Sequence, residues 1–274
     1  MINSEASERI SNLTWWLQAK RRRSPTVRLF CFPFSGGSAA SYANWHTLLP
    51  DFVEVYPAEL PGRAQRFLEP GIRCFDEAVS ALIPVMLPLT TLPFALFGHS
   101  MGAFLAFELA RVLETSYQRR PIKLFVSGSP SPTVLRKIAR RSVLTDIELI
   151  RELKRLGGTP KEVLSNSELL SLILPVIRSD FELTETYHYV PRAGLSCPVR
   201  AFAGWSDPEA APDEVDRWRD ITPASFDINL FMGEHFFLQR WAQQIASIIS
   251  TDLGDITDKA HHGDLSNDVS GNCI

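Results

Sequence analysis

Cysteine is scarce in this 274-residue chain. There are four (Cys31, Cys74, Cys197 and Cys273) and no Cys-x-x-Cys pair, which offers neither a disulfide framework nor a zinc site. An excess of one charge is lacking too. The net charge is −3, and the basic cluster Lys20-Arg21-Arg22-Arg23 is too short for a nucleic-acid footprint. The opening "MINSEASERISN" has no apolar signal core. From Glu77 to Glu108 no Asp, Glu, Lys or Arg intervenes, but Pro84, Pro88, Pro93, Gly98 and Gly102 break the stretch into pieces too short to span a membrane. The expectation is a reduced, cytoplasmic protein without nucleic-acid or membrane partners.

What remains is 45% hydrophobic and 22% charged, enough apolar material for one large α/β domain. Apolar runs at 27–34, 52–60, 93–98, 122–129, 197–204 and 225–231 read as strands, most of them separated by helical stretches. That alternation predicts a mostly parallel central sheet with helices on both faces. Residues 1–26 read as a polar lead-in around Trp15 and Trp16, 27–250 as the domain, and 251–274 as a disordered acidic tail.

Residues 131–195 break the rhythm with no good strand. Capping-box spacings mark three helix starts, at Thr145–Glu148, Thr159–Glu162 with Pro160 at the first helical position, and Ser165–Glu168; Gly157 is placed to end the first. An insertion of this length is either a helical lid over a site or extra packing helices.

"FALFGHSMGAFLAFELA" (94–110) holds the chemistry. Gly98-His99-Ser100-Met101-Gly102 matches Gly-x-Ser-x-Gly between an expected strand and helix. Glycines two residues either side of the serine permit a very sharp turn that projects its hydroxyl. A serine hydroxyl needs a general base, and the base an orienting carboxylate. Asp207 in "AGWSDPEA" and His235 in "MGEHFFL" each follow a late strand, in the chain order Ser, acid, His. His46 and His188 follow no late strand, His261 and His262 fall in the tail, and His99 should point away from its neighbour. Asp213, Asp216 and Asp220 fall in or near a helix. Asp180 is expected to anchor the insertion, against Arg178 or a backbone amide. Two N–H donors should face the developing oxyanion. Met101 supplies one, and Ser35 in "FPFSGGSA" the other, with Phe34 as its rival. Phe34, Gly36 and Phe236 are the candidate substrate contacts.

These pieces resemble type II thioesterases, free-standing α/β-hydrolases that serve nonribosomal peptide and polyketide synthases. The resemblance is carried by "CFPFSGG" (31–37), "ELPGRAQRF" (59–67), "FGHSMGAFLAFELA" (97–110), "LGGTP" (156–160), "LPVIRSDFELTETY" (174–187) and "HFF" (235–237). It implies an α/β-hydrolase fold with a lid at 131–195. It also implies hydrolysis of acyl thioesters from the phosphopantetheine arm of acyl or peptidyl carrier proteins, with Ser100 as nucleophile, His235 as base and Asp207 as acid. No metal or redox cofactor is implied, and a monomer is expected. Leu169, Leu172, Ile173 and Phe181 are candidates for the acyl chamber, and Arg63, Arg66 and Arg140-Arg141 for contact with an acidic carrier surface. Two positions depart from the family: Ser35 stands where Ala is usual, and Glu234 where Gly often precedes the histidine. Other readings of the same residues are a medium-chain fatty acyl thioesterase, a general serine carboxylesterase, lipase or peptidase, an acyltransferase, and a non-enzymatic binding module.

Overall fold

The computed structural model describes residues 15–17, 22–134, 140–191 and 195–267, with side chains described as far as residue 256. Six strands are β1 (Val27–Phe32), β2 (Val53–Pro57), β3 (Phe94–His99), β4 (Lys123–Ser127), β5 (Val199–Gly204) and β6 (Phe226–Phe231). They form one parallel sheet in the order β2-β1-β3-β4-β5-β6. Every residue of β3 and β4 is buried, as parallel strands covered on both faces must be, which is why they read as unbroken apolar runs.

Nine helices are described: α1 (Trp45–Leu48), α2 (Phe75–Met86), α3 (Met101–Tyr117), α4 (Asp146–Leu156), α5 (Lys161–Leu164), α6 (Ser167–Glu185), α7 (Pro212–Asp216), α8 (Phe237–Arg240) and α9 (Ala242–Asn267). Leu82, Ile83 and Met86 of α2 and Leu105, Leu109 and Leu113 of α3 pack on one sheet face. Trp45 of α1 and Ile245, Ile249 and Leu253 of α9 pack on the other. Register aligns the strand ends, with Phe32 opposite Gly98, His99 opposite Ser127, and Gly204 opposite Phe231. The loops after β1, β3, β5 and β6 therefore leave from one rim, where ligands bind in open α/β sheets.

The ends differ from expectation. Helix α9 runs past residue 250 to Asn267, because Leu253 continues the four-residue stripe of Ile245 and Ile249 into the core. The rest of the expected disordered tail, 268–274, lies outside the described residues. In the lead-in, Trp16 bridges antiparallel to Ala58, Leu17 N–H donates to Pro57, and the Arg66 guanidinium lies 3.8 Å from the Trp15 ring centroid. That short addition lengthens the sheet beyond β2.

The insertion is helical throughout its regular part and has its own small core of Leu149, Leu153, Leu174, Ile177 and Phe181. The box at Thr145–Glu148 forms, and Gly157 ends α4 in a left-handed conformation. The other two starts move. Pro160 itself caps α5, in an extended conformation that leaves Thr159 outside the helix. Ser165 N–H closes α5 by donating to Lys161, so Asn166 caps α6, accepting from Glu168 and Leu169 N–H.

Candidate active site

Ser100 sits between β3 and α3 with φ +55° and ψ −118°, a conformation that costs a non-glycine residue on the order of 1–3 kcal/mol. Its surroundings hold it there. Ser100 N–H donates 2.8 Å to Ser127 O on the neighbouring strand, and Ala103 N–H donates 2.9 Å to Ser100 O. Close approach explains the flanking glycines. A Cβ on Gly98 would stand 1.9 Å from Gly102 O, and one on Gly102 would stand 2.1 Å from Phe32 O. Both obstacles are backbone.

His235 arrives from the loop after β6 and Asp207 from the loop after β5. His235 Nε2 lies 3.0 Å from Ser100 Oγ, and His235 Nδ1 lies 2.9 Å from Asp207 Oδ2 and 3.1 Å from Oδ1. Both side chains are buried, and Asp207 Oδ1 also accepts N–H bonds from Glu209 (2.8 Å) and Ala210 (3.2 Å). A carboxylate so held orients the imidazole, and an imidazole so oriented can take a proton from a hydroxyl.

The other histidines fall elsewhere. His99 is fully buried with Nδ1 2.9 Å from Ser127 Oγ, and its ring centroid is 5.3 Å from that of His235. Burial first, then the nearby His235, pushes the His99 imidazole well below its usual range, which keeps it neutral. His46 Nδ1 contacts Ala43 O, and His188 is exposed. The side chains of His261 and His262 lie outside the described residues. Glu234 is exposed to solvent.

Met101 opens α3, so its N–H is one of the four that a helix leaves without an internal acceptor. In the turn after β1, two N–H groups are already committed: Gly36 N–H donates 2.7 Å to Asp180 Oδ2, and Gly37 N–H donates 2.8 Å to Phe34 O. An open donor in this turn must therefore come from Ser35 or earlier. Ser35 Oγ lies 3.6 Å from Met101 Sδ, which ties the two candidate donor residues together.

A cavity of about 300 Å³ opens at Ser100 and His235. Phe34, Gly36 and Phe236 line it, as do Ile173 and Phe181 of the insertion, whereas Leu169 and Leu172 point outward and remain exposed. The insertion thus forms a wall of the site. It also touches the loops after β1, β5 and β6. Gly158 lies against the Phe236 ring, where a Cβ would stand 2.1 Å from Cζ. Arg141 and Arg155 bond Glu209 at 2.7 and 2.6 Å, and the Glu209 N–H supports Asp207. Glu152 completes this quartet; Arg155 chiefly, helped by Arg141, holds its carboxyl down at about 2 despite burial. Asp180 pairs with Arg63 rather than Arg178, which instead bonds Asp146 and the carbonyls of Ser142 and Leu144. Arg63 and Arg66 are buried and Arg141 is tied into the quartet, so these three do not form the basic docking face that the sequence suggested. Their partners lie far away in sequence or in loops, and spacing gave no signal for them.

Among the described residues no helix is long and apolar enough to cross a membrane. The thioesterase domain family model matches residues 27–253. The chain is 38% identical over 247 residues to a Brevibacillus parabrevis protein named linear gramicidin dehydrogenase LgrE, covering 89% of this chain and 94% of that one. Thioesterase PikA5 of Streptomyces venezuelae is 38% identical over 228 residues, covering 83% and 81%. Among solved structures, the type II thioesterase BorB from the borrelidin biosynthetic cluster superposes with a TM-score of 0.82 at 38% identity, covering 88% of this chain and 98% of that one.

Proposed function

The chain belongs to the thioesterase domain family, and from that premise we propose that it is a type II, editing thioesterase. It hydrolyses acyl groups from the phosphopantetheine arm of carrier proteins in nonribosomal peptide or polyketide biosynthesis. The observation that carries the reading is the chain of contacts from Ser100 Oγ to His235 (3.0 Å) to Asp207 (2.9 Å) at the mouth of a lid-walled, mainly apolar cavity.

Ser100 Oγ attacks the thioester carbonyl carbon while His235 Nε2 takes its proton, and Asp207 fixes the ring and stabilises the imidazolium. The carbonyl oxygen becomes an oxyanion held by the N–H groups of Met101 and Ser35. When the tetrahedral intermediate collapses, the C–S bond breaks and the imidazolium protonates the departing thiolate. Water, deprotonated by the same imidazole, attacks the acyl-serine; the bond from Ser100 Oγ to the acyl carbon breaks, the imidazolium returns the proton to Oγ, and the carboxylic acid leaves. The reading takes the protein as a cytoplasmic monomer with no metal or redox cofactor of its own, since the partner brings the pantetheine.

The dehydrogenase in one relative's name does not transfer. Here β1 leads into Ser35-Gly36-Gly37 and a one-turn 3-10 helix (Ala39–Tyr42), not the Gly-x-Gly-x-x-Gly turn and long helix that cradle a dinucleotide.

The test is intact-mass analysis of several acyl-loaded carrier proteins after incubation with the enzyme, beside matched oxygen esters. Return of the carriers to their free-thiol mass, faster than ester cleavage, is expected. Preferential ester cleavage, or transfer of the acyl group to an added amine or alcohol, would refute the proposal.

A further inference from the structure

We propose that Asp180, a residue of the lid, is a positioning residue for the oxyanion turn: together with Arg63 it clamps the Gly36-Gly37 turn by the Gly36 N–H and the Gly37 C=O, and so fixes where the Ser35 N–H points. The inference rests on the thioesterase reading above and adds a part to its machinery.

Three segments meet here. Asp180 Oδ2 accepts from Gly36 N–H at 2.7 Å, and the two carboxylate oxygens accept from Arg63 at 2.6 and 2.8 Å. Arg63 Nη1 donates onward to Gly37 O at 2.6 Å. The acid therefore holds the N–H side of the turn, the guanidinium holds the C=O side, and the two hold each other. Gly36 is 144 residues from Asp180 in sequence, and Arg63 is 117. Asp180 is 1% exposed and the Arg63 side chain 7%. Burial alone would lower the Arg63 pKa; Asp180 outweighs it, and the guanidinium stays charged.

A buried ion pair is a poor stabiliser of a fold, because desolvation offsets most of its attraction. The lid does not depend on it for cohesion, since Leu149, Leu153, Leu174, Ile177 and Phe181 already give the lid an apolar core. The hydrogen bonds converge instead on one turn of two successive glycines, the backbone least able to hold a single conformation unaided. Ile177, one helical turn before Asp180, seats against the same place: a Cβ on Gly36 would stand 2.7 Å from Ile177 Cγ1. A donor to an oxyanion accelerates reaction only when it is aimed before the charge appears. The turn is aimed from the lid, so lid and oxyanion site are one mechanical unit.

The test compares Asp180→Asn with wild type on a butyryl thioester of N-acetylcysteamine. Two inhibitors accompany it: a trifluoromethyl ketone analogue, whose adduct with Ser100 carries an oxyanion, and the amide analogue, which does not. Loss in kcat of about tenfold to a hundredfold is expected, at or below the low end of full removal of a donor, with KM within about threefold. The ketone should weaken by the same factor and the amide should not weaken. Unchanged kcat, or equal weakening of both analogues, would overturn the proposal. Should Asp180→Asn fail to fold, Arg63→Lys keeps the charge pair while loosening the grip on Gly37 O, and the same pattern is expected in milder form. If neither variant melts cooperatively, the pair is a folding element and the proposal is overturned as well. Ser100→Ala runs alongside: turnover by that variant would sink the catalytic reading itself, whereas a dead Ser100→Ala beside a fully active Asp180→Asn would sink only the positioning claim.

Discussion

Adjacent glycines in the lid should respond to alanine for opposite reasons, and Gly158 is the informative one. Its backbone lies outside the left-handed region, so a side chain there meets no backbone strain. Space is the obstacle. A Cβ would stand 2.1, 2.2 and 2.6 Å from Cζ, Cε2 and Cε1 of Phe236, against about 3.5–4.0 Å for ordinary carbon contact. The ring cannot simply swing aside. Its centroid is 4.9 Å from that of Phe34, and its own backbone is the next residue after His235. Either the lid loop lifts or the ring turns into the cavity. Overpacking of this kind costs about 1–3 kcal/mol, which in a domain of this size lowers Tm by roughly 2–12 °C. If even half of it falls on the reacting geometry, kcat/KM drops by about twofold to thirteenfold. Thermal melts and thioester turnover on Gly158→Ala measure both effects, and Phe236→Leu in the same chain should restore most of the Tm by shortening the obstructing ring. At Gly157 the case reverses: φ is +79° with nothing within 4 Å, so alanine there should cost about 1 kcal/mol through backbone strain, and Phe236→Leu should not rescue it. Unchanged Tm and turnover in Gly158→Ala, or equal rescue at both positions, would refute the reasoning.

Three other substitutions test the triad, the serine turn and the lid quartet. Asp207→Asn leaves a group of the same shape that no longer fixes the imidazole tautomer, and kcat should fall by about 10⁴ with a small change in KM, read from steady-state kinetics. Gly98→Ala drives a Cβ into the Gly102 carbonyl, and the cooperative melt should be lost. Arg155 chiefly holds the Glu152 carboxyl down at about 2 in the folded protein, against about 4.5 for a free glutamate. Its contribution is therefore complete above about pH 4.5 and lost as pH falls from there towards 2. Melts taken between pH 6 and pH 3 should show a shallower decline in Glu152→Gln than in wild type, and parallel declines would contradict the role of the quartet.

The central strands were legible because a parallel sheet buried on both faces writes itself as apolar runs, and the Ser100 turn because its glycines stand at fixed spacing about the serine between a strand and a helix. Asp207 and His235 could be picked out by their place just beyond late strands. The Thr145 box was readable for a similar reason: its bonds close within four residues. The starts at Pro160 and Asn166 were not, since which of two neighbouring polar residues caps α6 depends on Ser165 being used to finish α5. Less legible still were the grip of Asp180 on Arg63, of Arg141 and Arg155 on Glu209, and of Gly158 on Phe236. Each joins segments tens of residues apart or more, and exposed arginine is the default reading of an isolated Arg. At 251–267 helix stands where a disordered start of the tail was expected, because acidic composition masked one apolar residue, Leu253, that extends a stripe begun upstream.

The most direct test of the account is rapid-quench mass analysis of the enzyme during its first turnover of a short acyl thioester. The chain should gain the acyl mass, and peptide mapping should place it on Ser100, while Ser100→Ala, folded to the same melting temperature within a few degrees, should gain nothing and release no acid. An adduct on another residue, or turnover by Ser100→Ala at close to the wild-type rate, would contradict it.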